Sequence, residues 1–279
     1  MDGTQADTDI PDGPAWPPDR NISPTVLHRY LSCPREVRLN YIDQRRGFRE
    51  SSISLTKGNV AHDILKQSAG RIARGLLPLG LEALADMASR RLHRNMYPSE
   101  ETRQSDIAVI VRWVRYGLEY LDRDASYLLI ERYATRPVVL PSSPGSHMLM
   151  VRPDLILLRT EHDGERYVEF IDYKTGKPKD DEIVPVFTRY VARQLLKQHL
   201  PNPTIVRMQF TFLWLDVRER QVIDLSLDHC EWAWESVKRQ IGALLEEREW
   251  PERPSHLCHY CPYNGNACTA YDRLQPDSV

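Results

Sequence analysis

Val151-Arg152-Pro153-Asp154, Leu155 to Thr160, Glu161-His162-Asp163-Gly164-Glu165 and Arg166 to Phe170-Ile171-Asp172-Tyr173-Lys174 form one continuous stretch, and its reading decides the fold. His162-Asp163-Gly164 suits a three-residue hairpin loop: a type I turn that closes on Gly164 in the left-handed conformation, where the absence of a Cβ removes the steric penalty. Glu161 and Glu165 then flank the loop. Counting back along the pair sets Asp154 opposite Asp172, on the same face and about 5 Å away at Cβ. A two-residue loop on Asp163-Gly164 would instead set Asp154 opposite Tyr173, on the wrong face. Side chains alternate along a strand, so Lys174 follows Asp172 on that face about 7 Å further on.

Three charged groups in this setting need a reason. Leu155, Ile156, Leu157 and Leu158 follow the first Asp and Phe170-Ile171 precede the second, so both strands read as central rather than surface strands. A surface hairpin with ordinary charges is the bland alternative. Two carboxylates forced together repel one another unless a cation sits between them, which asks for a divalent metal. A lysine beside that metal asks for an anionic substrate.

The motif Val-Arg-Pro-Asp followed by Phe-Ile-Asp-Tyr-Lys-Thr-Gly resembles the active-site signature of the PD-(D/E)XK nuclease superfamily, and within it the RecB-type and Cas4-type exonucleases, including the AddB-type iron-sulfur branch. The resemblance implies an α/β fold with a mixed central β-sheet flanked by helices (a restriction-endonuclease-like core), a helical N-terminal section and a C-terminal metallocluster. It implies Asp154, Asp172 and Lys174 as catalytic residues. It also implies Mg²⁺ or Mn²⁺ held by His62, Asp154, Asp172 and the backbone carbonyl of Tyr173. His62 falls on the histidine of a helical Gly-x-x-x-His element, here Gly58 to His62; a lone helical histidine is more often just exposed or satisfied. Glu131 lies where these enzymes often carry an acidic residue. Gln194 matches the first half of a Gln-x-x-x-Tyr element whose tyrosine position here holds Gln198.

The cysteines extend the resemblance. Cys258, Cys261 and Cys268 form a C-x2-C-x6-C cluster, with Cys33 far upstream. Three clustered thiols are one short of a tetrahedral site, so a fourth ligand must come from elsewhere. In the resembled branch one N-terminal and three C-terminal cysteines hold a [4Fe-4S] cluster, which implies Cys33, Cys258, Cys261 and Cys268 as its ligands. Zn²⁺ on the same four, or on three of them with His256 or His259, remains open. Cys230 is left over and reads as a buried thiol in an amphipathic helix.

Composition points to a cytoplasmic enzyme. The 279 residues carry a formal charge of −2. No apolar run approaches the roughly 20 residues of a membrane helix, and no signal peptide is evident. Residues 1–20, with acids at positions 2, 7, 9, 12 and 19, read as a disordered acidic, Pro-rich tail. Residues 21–279 read as one nuclease domain: a helical section over 21–125, a catalytic sheet core over 126–227, and a C-terminal helix with the cysteine cluster over 228–279. Without the tail the body is slightly basic, and Arg35, Arg38, Arg45, Arg46 and Lys57 are candidate DNA contacts, although such runs are usually solvated helix faces.

Periodicity and caps predict a helix starting at Ser23-Pro24 and helices at about 56–75, 79–96, 104–124, 185–199 and 229–248. Strands are expected near 127–139, 148–159, 166–174, 205–216 and 220–226. The function implied is hydrolysis of DNA phosphodiesters by an exonuclease. No G-x-x-x-x-G-K-[ST] motif occurs, so a helicase partner, or CRISPR adaptation proteins, would be separate chains. Two other classes compete: an idle DNA-binding module and a scaffold subunit of a larger complex.

Overall fold

The computed structural model describes residues 13–45, 47, 53–121, 125–131, 133–140, 143–200 and 207–270. In chain order the elements are α1 (Pro24–Ser32), α2 (Pro34–Val37), a π-helical turn (Arg38–Ile42), α3 (Ile53–Ile72), α4 (Leu81–Arg91) and α5 (Glu100–Tyr120). There follow β1 (Ser126–Ile130), β2 (Ala134–Leu140), β3 (Ser143–Val151), β4 (Leu155–Thr160), β5 (Arg166–Lys174), α6 (Ile183–His199), β6 (Arg207–Trp214), β7 (Glu219–Asp224) and α7 (Leu227–Glu246). Among the described residues no helix is long and apolar enough to cross a membrane.

The chain folds into two compact units, each gathered from separated segments. One comprises Met1–Arg49, Pro137–Met148 and Ser236–Val279; the other comprises Glu50–Arg136 and Leu149–Glu235.

In the larger unit a five-stranded mixed sheet runs in the order β1-β4-β5-β6-β7. β5 and β6 pair in parallel, which requires the crossover that α6 supplies, and the other neighbours pair antiparallel. The β4–β5 hairpin sets Leu155 opposite Ile171 and Thr160 opposite Arg166. Glu161 N–H donates to Glu165 O at 2.8 Å and Gly164 N–H to Glu161 O at 3.0 Å, and Gly164 has φ 88°. This is the three-residue loop that the sequence demands. A side chain at position 164 would be strained in that turn.

α3, α4 and α5 pack on one face of this sheet. Their Val60, Ala61, Ile64, Leu65, Leu84, Ile110 and Val114 share a core with Leu155, Leu157, Ile171, Tyr173 and Leu213. α5 starts earlier than the apolar stripe suggests, because the Ser99 side chain caps it by accepting from Thr102 N–H at 3.1 Å. Buried among these apolar groups is Glu169 of β5, fully enclosed. Its carboxylate accepts from Tyr120 Oη at 2.5 Å, Thr211 Oγ1 at 2.6 Å, Gln209 Nε2 at 3.2 Å and Arg159 Nε at 2.5 Å. A buried carboxylate persists only with such compensation.

Two expected strands are broken. The one foreseen at 127–139 divides at Glu131, whose φ of 43° places a non-glycine residue in the left-handed region. The one foreseen at 148–159 divides near Pro153, which cannot donate to a ladder. β2 and β3 instead form a separate two-stranded sheet.

In the smaller unit, Ser23 caps α1 by accepting from Val26 N–H at 3.3 Å, with Pro24 at the first position. Part of the stretch read as a disordered tail is seated here. Trp16 is buried, and Pro14 O accepts from Trp250 Nε1 at 2.8 Å. Residues 1–12 lie outside the described residues. Tyr30 Oη donates to Ala243 O at 3.0 Å, Arg35 N–H to Pro251 O at 3.2 Å and Tyr263 Oη to Arg45 O at 3.2 Å. Chain ends far apart in sequence are thereby joined within one unit.

Candidate active site and cysteine centre

The hairpin register, carried one step beyond Leu155 and Ile171, sets Asp154 opposite Asp172. Asp154 N–H donates to Ile171 O at 3.1 Å, one residue off the ladder's register, so regular pairing ends at Leu155 while Asp154 stays bonded to β5. Leu155, Ile171 and Tyr173 face the helices, so by alternation Asp172 and Lys174 project from the other face, while Asp154 sits just before β4 at the sheet's end. Asp154 Oδ2 accepts from Tyr173 N–H at 2.8 Å. The N–H and C=O of a strand residue point to the same side, so the Tyr173 carbonyl also faces Asp154, past the end of β4.

His62 arrives from α3, with Nδ1 3.3 Å from Asp154 Oδ1 and its ring edge-to-face with Tyr173 at 5.8 Å. Gly58 explains how the helix comes close enough. A Cβ on Gly58 would lie 3.1 Å from Thr175 Oγ1, immediately after Lys174. Gly58 and His62 are one helical turn apart on the same side of α3. The glycine brings the helix against the end of β5, and the histidine benefits. Lys174 Nζ lies 2.7 Å from Asp172 Oδ2 and 5.6 Å from the Phe212 ring centroid.

The electrostatics follow from this crowding. Burial pushes the Asp172 carboxyl up to about 6; Lys174 opposes the rise and the charge on Asp154 adds to it. Burial works on Asp154 in the same direction, but His62 and the Tyr173 N–H outweigh it and hold that carboxyl below the usual range. Burial alone would depress the His62 imidazole, yet Asp154 and then Asp172 leave it above its ordinary value. Lys174 is likewise raised, burial being outweighed by Asp172 and Asp154. Lys174 thus already supplies positive charge to Asp172, and His62 contacts Asp154. Among the described residues no three His, Cys, Asp or Glu side chains are drawn together at metal-holding distances.

The other expected residues are placed less centrally. Glu131 N–H donates to Asp154 O at 2.9 Å, but its carboxylate is engaged by Lys66 and Arg152. Sequence reasoning had missed these two cations. Lys66 could have been found from its place one turn beyond His62, and Arg152 from its place two residues before Asp154. Gln194 is exposed on α6. Lys57 is committed to Asp106 at 2.7 Å and lies over the Trp113 ring. Arg38 is paired with Asp43, Arg45 belongs to the smaller unit, and Arg46 lies outside the described residues.

In the smaller unit Cys33, Cys258, Cys261 and Cys268 line one cavity of about 40 Å³, together with Arg35, Glu36 and Arg253. All are free thiols, as is Cys230, which is buried on α7. Burial raises the Cys261 and Cys268 thiols above their ordinary range, and neighbouring cysteines and acids add to the rise. Ser255 N–H donates to Cys258 Sγ at 3.3 Å.

A mixed sheet thus carries two carboxylates, a lysine and a helical histidine near one end of β5. Residues 21–268 match the PD-(D/E)XK nuclease superfamily, and the chain belongs to it. Nucleases are the general members of that superfamily, with DNA as substrate and Mg²⁺ or Mn²⁺ as the usual metal. No curated protein matches the sequence. Among solved structures, the crystal structure of SSO0001 is similar at 14% identity and a TM-score of 0.39, with 90% of this chain and 87% of that chain covered.

The Asp172 shift has a sign that can be tested. Its carboxyl ionises at about 6 in the folded protein and at about 4 when unfolded. The folded state therefore holds more protons between those values, and stability falls as pH rises through that window. The loss is about 1–3 kcal/mol, persisting above pH 6 in metal-free protein. Asp172→Asn should remove it, so in EDTA the variant gains stability over wild type at pH 8 and loses that advantage at pH 4. A pH-independent difference between the two denaturation curves would contradict the assignment.

Proposed function

We propose that this chain is a metal-dependent DNA nuclease, acting as an exonuclease. The observation that carries the reading is the meeting of His62 from the middle of α3 with Asp154, just before β4, and Asp172 and Lys174 at the end of β5. Two carboxylates, an imidazole and the Tyr173 carbonyl make a mixed oxygen and nitrogen donor set. Such a set suits Mn²⁺ and is acceptable to Mg²⁺. Their setting supports the fit, because a divalent cation would offset the burial, and the lesser repulsion from Asp154, that raise the Asp172 carboxyl. When bound, the metal would lower the pKa of an attacking water and offset charge on the phosphate.

The chain's own residues do the rest. Asp154, anchored by the Tyr173 N–H, fixes the donor geometry. Lys174, released from Asp172, directs a fixed positive charge at the phosphate oxygens as negative charge builds in the transition state. Arg35, Arg38 and Arg45 remain candidate DNA contacts on the smaller unit.

For the cysteines we infer a [4Fe-4S] cluster on Cys33, Cys258, Cys261 and Cys268. The shared cavity supports this, and the low ligand pKa that metal binding imposes would displace the protons that burial retains. Its role would be to tie residue 33 to residues 258–268. A separate helicase or CRISPR adaptation proteins would be partners.

Lys174→Ala should reduce cleavage of single- and double-stranded DNA by at least about 10³-fold, given several kcal/mol of transition-state charge stabilisation, while DNA binding stays within about threefold. Cleavage that persists in purified Lys174→Ala protein would refute the assignment; absence of cleavage by wild type with either metal would favour a binding module. For the cluster, anaerobically purified protein should show a broad visible absorption band that bleaches on reduction and is lost in Cys33→Ser. A colourless protein containing stoichiometric zinc would replace iron-sulfur with Zn²⁺.

A further inference from the structure

Lys66, Glu131 and Arg152 form an ion-pair cluster beside the acidic centre that the mechanism above does not use. Glu131 Oε2 lies 2.5 Å from Lys66 Nζ and 2.8 Å from Arg152 Nη2. The carboxylate is nearly enclosed, with its side chain 9% exposed, whereas the side chains of Lys66 and Arg152 are 46% and 59% exposed. One carboxylate balances only one of the two cations, so a surplus positive charge faces solvent.

The cluster is fixed to the site at three points. Lys66 follows His62 by four residues on α3, about 6 Å away at Cβ. Arg152 precedes Asp154 by two residues, about 7 Å away along extended chain. Glu131 N–H donates to Asp154 O at 2.9 Å, so the residue that holds both cations is itself bonded to the backbone of a carboxylate at the centre.

If these cations served to neutralise the acidic pair, they would lie against Asp154 or Asp172. The groups found there instead are His62, 3.3 Å from Asp154, and Lys174, 2.7 Å from Asp172. Glu131 keeps Lys66 and Arg152 off the carboxylates and leaves their remaining donors for an external anion. A lysine presents three N–H donors and an arginine five, and one oxygen engages one of each.

We propose that Lys66 and Arg152, held by Glu131, form a phosphate-binding subsite that grips the phosphodiester next to the one being cut. This rests on the nuclease reading of the adjacent centre. Glu131 then acts as the counter-charge of the two cations rather than as a metal ligand.

The test is equilibrium binding of a fluorescently labelled single-stranded oligonucleotide in EDTA, across a salt series. Lys66→Ala and Arg152→Ala should each weaken binding roughly three- to tenfold and lower the slope of log affinity against log salt by about 0.7, one phosphate contact apiece. Lys66→Arg should keep most of the affinity. Glu131→Gln removes the counter-charge at constant shape and should bind at least as tightly as wild type, with a lower melting temperature. Wild-type affinity and slope in the folded alanine variants would overturn the subsite, as would weaker binding by Glu131→Gln. If wild type itself shows no salt-dependent binding, the nuclease reading fails, which is a separate result.

Discussion

Asp154 and Asp172 are held face to face across two paired strands, and their mutual repulsion organises the surroundings. The turn that enforces the encounter is local: Gly164 at φ 88° and the Glu161–Glu165 bond fix a register in which a slip by one residue would turn Asp154 away. What makes it tolerable is tertiary. Asp154 is satisfied by His62 and the Tyr173 N–H, and Asp172 by Lys174. His62 in turn depends on α3 lying close to β5, which Gly58 permits. The apolar core beneath, Val60, Ala61 and Ile64 against Leu155, Ile171 and Tyr173, holds that approach.

Much of this was legible because it follows from short-range rules. The loop length is written in His162-Asp163-Gly164, the facing carboxylates follow by counting, and the cap of α1 is written in Ser23-Pro24. Where the reading failed, the deciding contacts are distant in sequence. Glu131 bends the chain because its N–H meets the Asp154 carbonyl and its carboxylate meets two cations, neither visible in a strand-like run. Lys57 read as a free basic residue, yet Asp106 and Trp113 claim it from a helix 49 residues away. Glu169, on which the sequence reading is silent, is a core residue through four donors from β4, α5 and β6.

The two units explain a further limit. Contiguous boundaries at 125 and 227 could not express an arrangement in which described residues before 50 share a unit with described residues after 235. Trp16 and Trp250 lock that association, through an indole bond from one end of the chain to Pro14 near the other. The four cysteines follow the same logic, since all of them fall within that unit. Spacing alone showed three ligands and left the fourth to resemblance.

On the proposed function, the carboxylate pair receives a divalent cation. Titration of Mn²⁺ into metal-free protein, followed by electron paramagnetic resonance, tests it most directly. Wild type should take up Mn²⁺, and Asp172→Asn should weaken uptake at least about tenfold, or about 1.4 kcal/mol. Equal uptake by wild type and Asp172→Asn would contradict it.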